Sequence, residues 1–136
     1  MTRERLKGNW GITDVSDCIG AVLSPKLSPL IDAGRTAIRG GSAGGYTTLA
    51  SISLDSSAAS KRKFFACATN SYGISSLELF VDDTHKFELK YILKLIGGTK
   101  KEVPQVYHDR SPVYFSTNIR TPLLVCCLVD EVRSDG

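Results

Sequence analysis

Thr36-Ala37-Ile38-Arg39-Gly40-Gly41-Ser42-Ala43-Gly44-Gly45-Tyr46 is the stretch on which the reading of this chain turns. A short run containing a β-branched and an aliphatic residue meets two glycines, and from Ala43 to about Leu54 the pattern turns helical, with Leu49 and Ile52 in the later turns. The segment predicts a strand, a sharp turn and a helix, with Ser42 at the tip of the turn. It also contains Gly-x-Ser-x-Gly from Gly40 to Gly44. A serine exposed on such a turn takes strained backbone angles, and its neighbours two positions away must be small for strand and helix to approach. It sits at the positive end of the following helix, where the Ala43 N–H can face a developing oxyanion. A phosphate loop does not fit, because Gly45 leads into Tyr46 rather than Lys-Ser/Thr. A dinucleotide fingerprint fails too: the third position is Ser42 counted from Gly40, and Ala43 counted from Gly41. On the residues alone, a glycine-rich turn with a solvated serine stays open beside a nucleophile elbow.

Outward from this stretch, helix-like and strand-like segments alternate. Asp14-Val15-Ser16-Asp17 opens an apolar-periodic run through Cys18, Ile19, Val22 and Leu23, and its acidic and hydroxyl residues fit a helix N-terminus. Pro25 and Pro29 make the segment to Gly34 a connector. Phe64–Thr69 is an apolar run that predicts a strand covered on both faces, with Asn70-Ser71-Tyr72-Gly73 as its turn. Helices are expected over Ser75–Val81 and over Thr84–Ile96, the second with Thr84 as N-cap, Phe87, Tyr91, Ile92 and Leu95 as its apolar residues, and Gly97-Gly98 as its stop. After a charged loop, Pro122–Val129 reads as a third buried strand ending at Asp130-Glu131. This order is that of an α/β domain with a parallel sheet, in which chemistry gathers at the carboxyl ends of the strands. Ser42 and Asp130 fall at two such ends.

The chain's 136 residues favour one domain, and a net charge of +3 spread along it is too weak to imply nucleic-acid or membrane binding. No apolar run approaches the ~18 residues of a membrane span. The mixed charges of Met1–Lys7 lack the apolar region of a signal peptide, so a cytoplasmic protein is expected. Cys18, Cys67, Cys126 and Cys127 lack metal-ligand spacing and read as small buried hydrophobes, with no metal site. Lys61-Arg62-Lys63 reads as a solvated turn, and Asp82-Asp83 as an electrostatic aid to a helix start.

Several stretches together resemble the catalytic domain of prolyl oligopeptidase-type serine peptidases, in particular their acylaminoacyl-peptidase and dipeptidyl-peptidase-like members. They are Arg3–Cys18, Ile31–Leu49, Tyr72–Leu79, Asp83–Glu88, Arg110-Ser111-Pro112 and Thr121–Leu124, in that order along nearly the whole chain. The resemblance implies an α/β-hydrolase fold and hydrolysis of peptide bonds in short peptides through a Ser-Asp-His triad, with no metal or organic cofactor. It implies Ser42 as nucleophile, the Ala43 N–H as oxyanion donor, and Gly40 and Gly44 as the glycines of the elbow. Peptides are the implied substrate, and an esterase of the same fold is the neighbouring reading. Tyr72 either lines the acyl pocket or is a core or rim aromatic.

The departures are as specific as the matches. The family's acid follows a strand in a pattern like Gly-x-x-Asp-x-x-Val, whereas this strand ends Cys126-Cys127-Leu128-Val129-Asp130-Glu131-Val132. Aligning Asp130 with the acid needs a one-residue slip, and Glu131 fits without it; Asp130 is preferred because the family's acid is aspartate. The order in this class is Ser, Asp, His. The two histidines, His85 and His108, both precede Asp130. His85 reads as a helix-start or substrate-side residue, and His108 as a solvated one. The expectation is therefore a partial α/β-hydrolase domain over residues 1–136, without its C-terminal strands and helix and without the family's propeller. Alone, such a piece is either an inactive part of a peptidase or a non-catalytic partner of a full-length relative.

Overall fold

The computed structural model describes residues 3–24, 29–54 and 64–127. Three strands, β1 (Ala37–Gly41), β2 (Cys67–Ser71) and β3 (Leu123–Cys126), form one parallel sheet in the order β1-β2-β3. The register runs Ala37 to Cys67 through Gly41 to Ser71 on one side of β2, and Ala68 to Leu123 through Ser71 to Cys126 on the other. Parallel pairing needs long crossovers, and helices supply them here. Helix α1 (Thr13–Leu23) precedes β1, α2 (Ala43–Ser53) lies between β1 and β2, and α3 (Leu77–Asp83), α4 (Lys86–Ile96) and α5 (Pro104–Asp109) lie between β2 and β3.

Helix α2 is the centre of the packing. Thr and Ser are weak helix formers, yet α2 carries four of them, and eight of its residues are buried. Their hydroxyls turn back onto the preceding turn: Thr48 donates to the Gly44 carbonyl at 3.0 Å, Ser51 to Thr47 at 2.7 Å and Ser53 to Leu49 at 2.8 Å. Small side chains with satisfied hydroxyls let the helix be buried on most sides. Towards the sheet, Val22, Ile52, Phe65 and Ala68 form one core, with Ile38 and Leu123 packed against it. Away from the sheet, Trp10, Val15, Tyr46, Ala50, Leu77, Ile92, Leu95, Ile96 and Tyr107 form a second.

Polar links tie these layers together. The Asp14 carboxylate, 7% exposed, accepts the Gly11 N–H at 2.7 Å and the Thr47 hydroxyl at 2.6 Å, joining α1 to α2. The buried Tyr46 hydroxyl donates to the Arg110 carbonyl at 2.9 Å. Burial raises the Tyr46 phenol above its ordinary pKa, the Asp14 carboxylate adds to the effect and Arg110 opposes it. The Arg110 guanidinium donates to the carbonyls of Gly8, Trp10 and Ile96 at 3.0, 3.1 and 3.4 Å, and burial lowers its pKa.

The elements match the expected order, and several details differ. Strand β2 is Cys67–Ser71, starting three residues and ending two residues later than the apolar run Phe64–Thr69, so that Asn70 and Ser71 belong to it rather than to the turn. Phe65 is buried ahead of the strand, where Ala66 N–H first reaches the Thr36 carbonyl at 2.7 Å. Neither β2 nor β3 is covered on both faces. Ala37, Arg39, Cys67, Leu124 and Cys126 share the face away from α2, and all are exposed. The expectation of buried cysteines is accordingly corrected: Cys67, Cys126 and Cys127 are exposed, and Cys18 is intermediate. Thr84 does not cap α4, because its hydroxyl donates back to the Phe80 carbonyl at 2.6 Å, closing α3, and His85 takes the N-cap position. Phe87 is 98% exposed rather than part of the apolar face, while Ile92 and Leu95 are buried. Gly97 ends α4 as expected, with φ 111°. The charged loop holds α5 and a 3₁₀ segment, Pro112–Asn118, each with proline in its first turn. Pro25, the Lys61-Arg62-Lys63 turn and the part of the third strand beyond Cys127 lie outside the described residues.

Candidate active site

Ser42 stands between β1 and α2 with φ 53° and ψ −121°, a conformation L-residues seldom adopt. Two hydrogen bonds hold it there: its N–H donates to the Ser71 carbonyl on β2 at 3.1 Å, and its carbonyl accepts the Tyr46 N–H at 3.0 Å, the first bond of the helix. The side chain makes no cap bond and the residue is exposed. Ala43 follows as the first residue of α2, also exposed. Its N–H is one of those that a helix leaves without an intrahelical carbonyl. A hydroxyl on a strained, exposed turn beside a free N–H at a helix N-terminus can attack a carbonyl carbon while that N–H receives the charge forming on oxygen.

The glycines explain the turn. A Cβ on Gly40 would collide with the carbonyl of Gly44, so strand and helix meet as backbone against backbone. A Cβ on Gly44 itself would point into open space; its role is to present that backbone. Gly45 is a requirement that the Gly-x-Ser-x-Gly pattern does not include. A Cβ there would lie on Asn70 Oδ1 and 2.6 Å from the Gly73 Cα. The doubled glycine Gly44-Gly45 and the Gly73 after β2 were the available signal, since two backbones this close need glycine on both sides.

The two histidines have environments of their own. His85 occupies the N-cap position of α4 and is exposed, in keeping with the helix-start reading. His108 Nδ1 lies 3.1 Å from Asp109 Oδ1, and its ring stacks on Tyr114 with centroids 4.5 Å apart. Hydrogen bonds from His108 and then Gln105 hold the Asp109 carboxyl below its ordinary range. The Tyr114 hydroxyl donates to Glu78 at 2.6 Å. Asp130 and Glu131, the two candidates for the acid, both lie outside the described residues. Among the described residues, no group of three or more His, Cys, Asp and Glu could hold a metal ion, and no helix is long and apolar enough to cross a membrane.

Comparison with known proteins bears on this geometry. The sequence profile of the prolyl oligopeptidase family matches residues 3–130. The chain is 40% identical to a puromycin-hydrolyzing peptidase of Mycobacterium tuberculosis, with a TM-score of 0.78 over 90% of this chain and 18% of that one. Against the acylaminoacyl peptidase of Pyrococcus horikoshii it is 25% identical, with a TM-score of 0.69 over 90% of this chain and 19% of the other. It is also 27% identical over 123 residues to dipeptidyl peptidase family member 6 of Caenorhabditis elegans, covering 87% of this chain and 16% of that protein. The described strands and helices form part of an α/β-hydrolase fold, and the chain spans less than a fifth of the length of these relatives.

Proposed function

Because the chain belongs to the prolyl oligopeptidase family, we propose that it is part of a serine-peptidase catalytic domain in which Ser42 is the nucleophile for peptide substrates. The carrying observation is the backbone of Ser42, at φ 53° and ψ −121° on an exposed tip that feeds directly into α2. In this reading the Ser42 Oγ attacks the scissile carbonyl, a histidine accepts its proton, and the Ala43 N–H stabilises the tetrahedral oxyanion. Collapse expels the amine and leaves an acyl-enzyme, which water then cleaves. Metal and organic cofactors have no part in these steps. Asp130 follows β3, whose carboxyl end lies on the same side of the parallel sheet as Ser42, and is the preferred acid over Glu131. Residues 1–136 form one partial domain in this reading.

Both histidines precede Asp130, and the environments of His85 and His108 give neither a link to Ser42. The general base therefore comes from outside these residues, and the 136-residue chain alone is inactive or nearly so. That same observation favours, as a second reading, a non-catalytic piece that associates with a full-length relative. The test is covalent labelling with a fluorophosphonate probe, comparing the chain with Ser42→Ala, and repeating it with a full-length relative added. Labelling lost in the alanine variant supports Ser42 as nucleophile. Co-purification with the relative without any labelling supports the second reading.

A further inference from the structure

Among the described residues only one other non-glycine residue shares the positive φ of Ser42: Tyr72, at 42°. The two are neighbours across the sheet. Ser71, immediately before Tyr72, accepts the Ser42 N–H at 3.1 Å, and Tyr72 donates its own N–H to the Cys126 carbonyl at 2.7 Å. The strained residue is thus anchored to β3 on one side, while its predecessor holds the serine on the other. A bulky residue keeps left-handed angles only where its surroundings over-determine them.

Tyr72 does not enter the core, for it is 53% exposed. Its phenol lies against Gly41 instead. A Cβ on Gly41 would stand 3.0 Å from the Tyr72 hydroxyl oxygen and 3.1 Å from the ring carbon bearing it. Gly41 is the residue before Ser42, and glycine has the widest backbone freedom of any residue. Left unconfined, it would let the Gly41–Ser42 peptide rotate and the serine relax to ordinary angles. The ring fills the space that a side chain at 41 would have taken and supplies that confinement from the next strand.

We infer that Tyr72 is a positioning residue of the nucleophile turn, its ring over Gly41 holding Ser42 in the strained, exposed conformation. This structural role stands on the geometry, and its meaning for catalysis rests on the reading of Ser42 as nucleophile. The test compares the 136-residue chain with Tyr72→Phe, Tyr72→Ala and Tyr72→Asn. Asparagine tolerates left-handed angles without supplying a ring. Two quantities are measured on variants that retain a cooperative urea transition. One is the strong intraresidue amide-to-Hα cross-peak that a positive φ gives Ser42 in NMR spectra, and the other is the rate of fluorophosphonate labelling.

Tyr72→Phe is expected to preserve the cross-peak, while Tyr72→Ala and Tyr72→Asn weaken it and slow any labelling of Ser42 at least tenfold. An unchanged Ser42 cross-peak in folded Tyr72→Ala and Tyr72→Asn overturns the proposal. Loss of folding in both variants also overturns it, because the ring would then serve the fold at large. Absence of labelling in every form, wild type included, agrees with a general base supplied from outside these residues, and the cross-peak alone then decides the role of Tyr72.

Discussion

Ser42 and Gly40 sit two residues apart and make opposite demands on their side chains. Ser42 has a backbone suited to glycine and is not glycine, a strain that costs on the order of 1–3 kcal/mol. Ser42→Gly is therefore expected to raise the unfolding free energy by about 1 kcal/mol while abolishing probe labelling, as urea denaturation and mass spectrometry would show. Gly40→Ala must push its new methyl into the Gly44 carbonyl and should destabilise the chain by at least about 2 kcal/mol, or prevent folding, in the same urea assay. The cysteines separate by environment. Burial raises the Cys18 thiol pKa, with Asp14 and Asp17 adding to it, whereas Cys67, Cys126 and Cys127 are exposed. Iodoacetamide in the native state should modify Cys18 last, and peptide mapping over a time course would reveal the order.

At the level of elements, the buried carboxylate of Asp14 decides how α1 and α2 meet. Asp14→Ala removes the acceptor for both the Gly11 N–H and the Thr47 hydroxyl, and a loss of about 3 kcal/mol in unfolding free energy is expected. Thr47→Val should cost less, and a double-mutant cycle measures their coupling. Tyr46 adds a pH dependence. Its phenol has a raised pKa in the folded state, while in the unfolded chain it ionises near ~10. Above that value the unfolded state releases the proton and the folded state retains it, so stability falls as pH rises. Urea titrations at pH 9 and 11 should show this decline, with Tyr46→Phe reducing it. These contacts also mark the limit of sequence reading. The acidic start of α1, the turn at Ser42, α2 and the glycine stop of α4 were legible because each rests on local residues. The inward turn of Asp14 was not, because its partner Thr47 is 33 residues away. The phase of β2 was misread for a related reason: strand limits follow pairing with Ala37–Gly41, and the apolar run Phe64-Phe65 supplies core before the ladder begins. The helix at Pro104 was hidden in a stretch whose charges read as a loop, and its six residues are too few to show a helical period. Asp130 and Glu131 were distinguishable only by resemblance, and their geometry lies outside the described residues.

For the molecule as a whole, the arrangement is one-sided. The described helices that contact the sheet pack on one of its faces, and the other presents Arg39, Cys67, Leu124 and Cys126. Leu124 is 61% exposed on β3, the last strand of the described sheet. Open apolar strands associate with other copies. The isolated chain is expected to sediment as a concentration-dependent mixture, and Leu124→Lys to shift it towards monomer in analytical ultracentrifugation. Arg110 has a consequence of another kind, in the order of events during synthesis. The Gly8 carbonyl that it binds leaves the ribosome 102 residues before it does. At ordinary elongation rates that interval is roughly 5–20 seconds. Throughout it the N-terminal segment waits without the cation that gathers Gly8, Trp10 and Ile96. Completion of this layer is thus timed by a single late codon, and a nascent chain halted before it would expose its first turns to proteases.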